Sequence, residues 1–594
     1  MKYPKIHLAQ TVIALCKTKG IEHIVISPGS RNAPLTIGFT EDPFFSCYSI
    51  VDERCAAFFA LGIAQQTKKP AAVVCTSGSA LLNYYPAVSE AFYSDIPLIV
   101  LSADRPKHRI DIGDGQTIRQ DDVFNRHIIQ AKNLEQDINH ATLEVLSKEK
   151  HQLPKFIDAK RIDELQAQIQ ERNEHAINTV LNSAIAQSGP VHLNIPFEEP
   201  LYETLDAPSV FPKNVSLSAS APKFQSNMLD PFIKKWNAAK RKMILVGVLG
   251  PNTIEQKFIE RLAEDDSVIV LTESTSNLHH REFFPTIDKI IAPMEKLKAP
   301  ETAFEQLRPE ILLTFGGMVV SKKIKAFLRK FQPKHHWHID EKKAYDTFFC
   351  LEKHFLTSPN HFFGAFLDRT SAIESDYKSF WQQVKSRRNK CHDEYLKNIP
   401  FSDLVVFKEL LSSIPDDMTL QLSNSSTIRY VQLFDQNPTI AHFCNRGTSG
   451  IDGSTSTAIG SALTLKSPTL LVTGDLSFFY DSNALWNGYI RNDFRIILIN
   501  NQGGGIFRIL PGDKDSDNFD SYFETVHTLN AENLAKMYNF EYQDVKSASG
   551  LSESLRTFFE SSQRPKLLEV FTPRTINDST LIGYFEHLIE NEQV

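Results

Sequence analysis

The chain has 594 residues, 42% of them hydrophobic and 23% charged, with a formal net charge of -7. That length accommodates about three or four domains, each able to bury its own core, and the acidic balance excludes the basic footprint of a general nucleic-acid binder while still suiting anionic small substrates held by a few concentrated arginines. Seven cysteines without C-x-x-C spacing make neither a zinc site nor a disulfide framework, and no run reaches the ~20 apolar residues of a membrane span.

Residues 8–16 mix Gln10 into an apolar run that leads to Gly20, so the amino terminus predicts an amphipathic helix rather than a secretory leader. With cysteines that suit a reducing compartment, a cytoplasmic protein is expected. From there to about residue 200, helix and strand alternate. Apolar strands are expected at 23–27, 71–75 and 97–102, stopping respectively at Pro-Gly-Ser30-Arg31, Thr-Ser-Gly-Ser79 and Ala-Asp-Arg105-Pro. Helices are expected at 52–66 and 84–93, and a closing strand at 189–196. Apolar runs that end in small, polar or charged residues are the pattern of a doubly wound parallel sheet whose ligand edge lies at the strand ends. The charged stretch 148–174 reads as a solvated helical excursion.

Residues 201–222 have the composition of a linker. A weaker α/β alternation follows, with strands at 243–247, 267–271, 310–314 and 337–340. His279, His280, His335, His336 and His338 invite a metal site, but adjacent histidines project differently and lack a matched third ligand, so surface placement is expected. In the last third, a strand at 418–422 stops at Ser-Asn-Ser425-Ser and the next helix carries Arg429. The Gly-rich run NRGTSGIDG (445–453) then precedes a small-residue helix.

The stretch 473–507 is the most informative. A strand at 469–473 stops at Gly474-Asp475, a helix-like segment intervenes, and a strand at 495–499 stops at Asn500-Asn501 before Gly503-Gly504-Gly505. Parallel strands put both ends on one edge, so the carboxylate and the amide can converge. Hard oxygen donors suit Mg2+ or Ca2+, which take their remaining ligands from water and phosphate, and the glycines admit a close backbone carbonyl and phosphate. A magnesium diphosphate is the expected cargo; no Walker A run or strand-borne G-x-G-x-x-G competes. The pair at this spacing resembles the metal-diphosphate signature of thiamine-diphosphate enzymes.

Such a cofactor needs a second anchor, a carboxylate for its aminopyrimidine. Glu53 is the candidate, in the first turn of the helix at 52–66 with Asp52 as its cap; read alone, it is equally an acid favoured by the helix dipole. The ordered motifs S-P-G-S-R, D-E-R-x-A-x-F, T-S-G-S-A, S-A-D-R-P, G-Q-T-I-R-Q, G-P-V-H-L-N-I-P-F, N-R-G-T-S-G-I-D-G and G-D-L-S-F-x-Y-D-x-N are more specific. Their order resembles the 2-succinyl-5-enolpyruvyl-6-hydroxy-3-cyclohexene-1-carboxylate synthases of menaquinone biosynthesis. The match covers both end domains; the middle third agrees only in its α/β pattern.

The resemblance implies an α/β protein of three doubly wound, mainly parallel-sheet domains of the thiamine-diphosphate-enzyme type. They would be a pyrimidine-binding domain at 1–200, a central domain at 201–375 and a diphosphate- and Mg2+-binding domain at 376–594. It implies a transferase that decarboxylates 2-oxoglutarate and adds the resulting succinyl carbanion equivalent to isochorismate; the alternative is another thiamine-diphosphate 2-oxoacid decarboxylase or synthase. By resemblance, Glu53 and Gln116 are catalytic, and Ser30, Arg31, Arg105, Ser425, Arg429, Arg446, Ile506 and Phe507 bind substrate. Glu53, Ser449, Ile451, Gly474, Asp475, Leu476 and Asn501 hold the cofactor, and Asp475, Asn501 and Gly503 hold Mg2+, with Mn2+ an acceptable substitute. Four arginines suit two dicarboxylates, because guanidinium binds carboxylate bidentately. In this family the pyrimidine carboxylate and the metal site come from different subunits, which implies a homodimer or homotetramer. Leu476 stands where most thiamine-diphosphate enzymes have glycine, in agreement with these synthases.

Overall fold

Alternating strands and helices build three wholly parallel sheets, distributed over two units of the chain, in a computed structural model that describes residues 1–140, 159–216, 226–510, 513–514 and 516–589. The first unit contains residues 1–219 together with 447–466 and 480–491. Its strands are β1 (Tyr3–Pro4), β2 (His23–Ile26), β3 (Ser46–Ser49), β4 (Ala71–Cys75), β5 (Leu98–Asp104), β6 (Gln130–Asn133), β7 (Val191–Pro196) and β8 (Thr204–Leu205). Six of them pair in the order β3-β2-β4-β5-β7-β6, all parallel, while β1 and β8 make a short antiparallel ladder. Ala72, Val74, Ile99, Leu101, Val191 and Leu193 meet Val12, Leu15, Val180 and Leu181 of the covering helices in one core. Each such aliphatic side chain taken fully from water contributes about 1.5–3 kcal/mol.

Within the same unit the helix Glu53–Thr67 packs on the helix Ser454–Thr464. The contact requires glycine on both sides: a Cβ on Gly62 would stand 2.1 Å from the carbonyl oxygen of Thr457, and one on Gly460 would stand 2.0 Å from that of Phe59. Nothing but hydrogen fits between these backbones.

The second unit, residues 220–446, 467–479 and 492–594, holds two sheets. Strands β9 (Lys242–Val246), β10 (Val268–Leu271), β11 (Ile311–Phe315), β12 (His335–Asp340) and β13 (Leu351–Leu356) pair as β10-β9-β11-β12-β13. Strands β14 (Thr419–Leu422), β15 (Ala441–Cys444), β16 (Thr469–Gly474), β17 (Arg495–Asn500), β18 (Glu541–Val545) and β19 (Lys566–Phe571) pair as β15-β14-β16-β17-β19-β18. Numbered from their own first strands, the first and last sheets have the same order. In all three sheets the second strand lies outside the first and the third inside it, so the winding reverses between first and third strands. Ligands of open α/β sheets bind beyond the carboxyl ends at that reversal. Ser30 and Arg31 follow β2 there, Ser425 follows β14, and Asp475 follows β16.

The three-sheet α/β expectation is met, and each expected strand is found within about two residues of its place. Three expectations are corrected. The charged stretch is helical with one solvated face where it is described, but it is not wholly solvated: in the helix Ala159–Gln187, Gln166 and Asn173 are buried and accept the backbone N–H groups of Ile138 and Glu135, both at 2.9 Å. Residues 148–158 of that stretch lie outside the described residues. The linker is tied down over 201–216, where β8 pairs with β1 and the N–H of Ser209 donates to Gln10 at 2.8 Å; its remainder, 217–222, is not described. His336 is fully buried rather than on the surface, with Nε2 3.0 Å from Thr314 Oγ1, because β12 is covered on that face. Among the described residues no helix is long and apolar enough to cross a membrane.

Candidate active site

In the first unit, Asp52 caps the helix Glu53–Thr67 by accepting the N–H of Cys55 at 3.2 Å. The cap sets Glu53 in the first turn, where burial raises its pKa above the usual carboxylate value. Asn83 Nδ2 lies 3.5 Å from Glu53 Oε2. Partial desolvation of this kind favours the protonated form of the acid, the form that can donate to a neutral ring nitrogen.

Arg31 is buried, its Nη1 donating to the Phe197 carbonyl and its Nη2 to Glu199 Oε1, both at 3.0 Å. Desolvation and then the positive charge of Arg105 lower its pKa, so the two guanidiniums share one neighbourhood. Arg105 donates Nη2 to the Gly115 carbonyl at 2.9 Å, which fixes the loop carrying Gln116. Gln116 has φ +54° and packs its backbone on Gly78. Behind it, the fully buried Gln120 accepts the N–H of Gly78 at 2.8 Å and donates to Asn194 Oδ1 at 2.8 Å. Ser30 is exposed beside Arg31.

The Gly-rich loop 447–453 belongs to this unit and is clamped at both ends. Glu90 Oε1 accepts the N–H of Gly447 at 2.8 Å, and Oε2 accepts the N–H and hydroxyl of Thr448 at 2.7 and 2.9 Å. Beyond the loop, Asp481, pushed up to about 6 by burial, accepts the N–H and hydroxyl of Ser456 at 2.8 and 3.0 Å. Between the clamps Ser449 adopts φ +61° and the Ile451 side chain is exposed.

In the second unit, β16 and β17 are paired neighbours, with Gly474 opposite Ile499, so Asp475 and Asn501 leave the sheet side by side. Asp475 Oδ1 accepts the N–H of Leu476 at 2.7 Å and Oδ2 that of Gly503 at 3.0 Å. His527 Nε2 stands 3.3 Å from the same Oδ2. Gly503 has φ +152°, and a Cβ there would lie 2.7 Å from the Glu524 carbonyl oxygen. That carbonyl accepts the N–H of Gly504 at 2.6 Å, while Arg508 and Arg574 grip the Glu524 carboxylate at 2.6 and 2.7 Å. Asn501 donates Nδ2 to the buried Asp403 Oδ2 at 3.0 Å, which leaves its carbonyl oxygen as a hard donor. Burial pushes Asp403 up to about 6.

This donor set fits a magnesium diphosphate. One carboxylate and one amide oxygen stand at adjoining strand ends, and among the described residues no group of three or more His, Cys, Asp or Glu side chains could hold a metal ion by itself. Mg2+ characteristically completes such a sparse set with phosphate oxygens and water. Ile506 opens the short helix Ile506–Ile509 after the glycines, and Phe507, partly exposed, faces Phe523 at 6.2 Å between ring centroids.

Arg429 and Arg446, also in the second unit, lie close enough for each to weigh on the other: burial and then the Arg446 charge lower the pKa of Arg429. Arg446 donates Nη1 to Asn424 Oδ1 at 2.6 Å, and Asn424 in turn donates to the Asn445 carbonyl at 2.7 Å. Ser425, at φ +68°, turns the chain from β14 into Arg429's helix.

Sequence reasoning missed Glu90, Gln120, Asp403, Asp481 and His527. Glu90 carries a usable signal, a lone acid among Ala87, Val88 and Ala91 on a buried helix face. Asp403 reads as an ordinary first-turn acid, and nothing in sequence ties it to Asn501.

Residues 6–131 match the family described as thiamine pyrophosphate enzyme, N-terminal TPP binding domain, and residues 218–422 match the middle domain of thiamine pyrophosphate. The chain is 54% identical to the 2-succinyl-5-enolpyruvyl-6-hydroxy-3-cyclohexene-1-carboxylate synthase of Christiangramia forsetii, over 99% of this chain and 100% of that protein. It is 52% identical to the synthase of the same name from Flavobacterium psychrophilum, with the same coverage. To that from Porphyromonas gingivalis it is 36% identical over 97% of this chain and 96% of the relative.

Proposed function

This chain belongs to the 2-succinyl-5-enolpyruvyl-6-hydroxy-3-cyclohexene-1-carboxylate synthase family of thiamine-diphosphate enzymes, and we propose on that premise that it decarboxylates 2-oxoglutarate and joins the remaining succinyl unit to isochorismate in menaquinone biosynthesis. The observation that carries the residue-level reading is the emergence of Asp475 and Asn501 from neighbouring parallel strands, with Asn501's amide nitrogen turned to Asp403. In this reading Asp475, Asn501 and the Gly503 carbonyl hold Mg2+, or Mn2+ in its place, against the diphosphate. Gly474 and Leu476 line the diphosphate, and Ser449 and Ile451 support the cofactor from the clamped loop.

Thiamine diphosphate, when bound, supplies the carbanion chemistry of decarboxylation and carbon–carbon bond formation. The chain's own residues bind and aim. Glu53, with its raised pKa, hydrogen-bonds the pyrimidine ring nitrogen. Arg31, Arg105, Arg429 and Arg446 neutralise the carboxylates of the two substrates, with Ser30 and Ser425 as neutral donors. Gln116 orients a substrate hydroxyl or helps with proton transfer, and Ile506 and Phe507 form an apolar wall.

The roles assigned to residues 1–200, 201–375 and 376–594 are pyrimidine binding, central domain and diphosphate binding. Active sites shared between subunits of a homodimer or homotetramer are part of the reading, so activity should fall on dilution to monomer. A cytoplasmic location suits seven cysteines that are all free thiols.

The test is consumption of isochorismate, followed by its ultraviolet absorbance, with one of 2-oxoglutarate, thiamine diphosphate and Mg2+ left out at a time, for wild type and Glu53→Gln. Loss that needs every component and nearly vanishes in the variant supports the reading. Carbon dioxide release from 2-oxoglutarate with isochorismate untouched would replace the acceptor, leaving a 2-oxoacid decarboxylase.

A further inference from the structure

Asp403 opens the helix Asp403–Ser413 and is 3% exposed. Oδ1 accepts the Thr572 hydroxyl at 2.6 Å, Oδ2 accepts the Asn501 amide at 3.0 Å, and the Asp403 N–H donates to Asn577 Oδ1 at 2.8 Å. Two separate segments, the loop at Asn501 and residues 572–577, thus converge on one acid. Among the described residues no Lys, Arg or His side chain forms an ion pair with it, although a buried charge is costly unless compensated. The Asp475 carboxylate is near enough to repel it. Asn501, bonded to Asp403 through its amide nitrogen, stands at the strand end beside that of Asp475, so its amide oxygen and the Asp475 carboxylate are the oxygen donors that a divalent cation would bring together.

We propose that Asp403 is a positioning residue that fixes the orientation of the Asn501 amide and thereby sets the affinity of the metal site. A carboxylate can only accept, so the Asn501 nitrogen must face it and the amide oxygen must turn away, toward a cation. Thr572 locks the other carboxylate oxygen, so Asp403 cannot swing to bind the metal itself. Without Asp403 the amide is free to flip and present N–H groups, which repel Mg2+. Outer partners of this kind characteristically tune metal affinity 10–100-fold. The inference rests on the proposed role of Asn501 as a metal ligand.

The experiment titrates the full-length protein with Mn2+ in saturating thiamine diphosphate and reads free metal by electron paramagnetic resonance, for wild type, Asp403→Ala, Thr572→Val, Asn501→Ala and the Asp403→Ala/Asn501→Ala double variant. Thermal unfolding without metal identifies the folded variants. Asp403→Ala should weaken Mn2+ binding roughly 10–100-fold, Thr572→Val should weaken it less and in the same direction, and the double variant should bind no worse than Asn501→Ala within about threefold. A purely structural role would lower the unfolding temperature and leave the affinity of the folded protein alone. If Asn501→Ala weakens the metal but folded Asp403→Ala or Thr572→Val binds as wild type, the positioning role is wrong and the site reading stands. If Asn501→Ala itself binds Mn2+ as wild type, the site reading fails and this inference with it. Should Asp403→Ala not fold, Thr572→Val decides.

Discussion

Glu90 holds Thr448 by two hydrogen bonds to one carboxylate oxygen, from the backbone N–H at 2.7 Å and from the hydroxyl at 2.9 Å. The other oxygen takes the N–H of Gly447, so a single buried acid fixes the entry to the loop bearing Ser449 and Ile451. Glu90→Ala removes the acceptor for four donors, the Ser94 hydroxyl at 2.7 Å among them, and each buried donor left unsatisfied costs about 1–3 kcal/mol. The expected outcome is a lower unfolding temperature and a rise of about tenfold or more in the thiamine diphosphate concentration that half-saturates activity, with a smaller change in kcat at saturation. An unchanged half-saturation in folded protein would remove the loop from the cofactor site.

Metal removal separates the second unit's residues from the rest. Chelation of the holoenzyme should abolish activity, and millimolar Mg2+ should restore it in wild type. Asp475→Ala should not be restored, because the only carboxylate in the proposed donor set is gone while Asn501 alone offers one neutral oxygen. Calorimetric titration of Mg2+ into the variant with thiamine diphosphate checks that the defect is in binding.

The arginines should divide by kinetic signature. Arg446 donates to the amide oxygen of Asn424 and Arg429 lies in the field of Asp288, whereas Arg31 already spends Nη2 on Glu199. A charge-assisted hydrogen bond is worth about 1.5–3 kcal/mol, so Arg446→Ala and Arg429→Ala should lower kcat/KM for one substrate by roughly 10- to 100-fold. Arg31→Ala should also lower stability, because it leaves the Phe197 carbonyl without its donor. Initial-rate kinetics with each substrate varied, beside thermal unfolding, resolves the two effects.

How much was legible in the chain follows the physics of burial. Strands β4, β5, β9, β11, β16 and β17 are apolar runs covered on both faces, and all were expected. Strands β3, β6, β13, β15 and β18 were not, and each is the edge of its sheet. An edge strand needs less apolar surface, as the half-exposed Gln130–Asn133 and Glu541–Val545 illustrate. The central β19 was also overlooked, although its sequence KLLEVF is apolar enough; buried Glu569 interrupts it while accepting Asn500 Nδ2 at 2.7 Å. For the site, residues at strand ends were legible because the pattern marks where strands stop. Residues that act through others, such as Asp403 and Gln120, were not, since their partners are distant in sequence and their local context is that of an ordinary helix start or loop.

Glu273 supplies a pH-dependent prediction in the second unit. Its two carboxylate oxygens accept the N–H groups of Val320 and Ser321, both at 2.7 Å, at the start of the helix Lys322–Lys330. Burial raises its pKa from 4.5 to about 7, with Asp288 adding to the rise and the two N–H donors and Arg446 opposing it. The folded state therefore binds a proton that the unfolded chain has released between those values. Stability from that proton is fully present below about pH 4.5 and is lost as pH rises through about 7. The span corresponds to about 3 kcal/mol at one pKa unit per 1.36 kcal/mol. Glu273→Gln cannot titrate, so its unfolding temperature should rise relative to wild type as the buffer moves from about pH 5 to pH 8, whatever the offset between the two at low pH. Differential scanning calorimetry of both proteins across that range measures the gap directly, and a gap that stays constant with pH would mean that the Glu273 carboxyl titrates alike in the folded and unfolded chains.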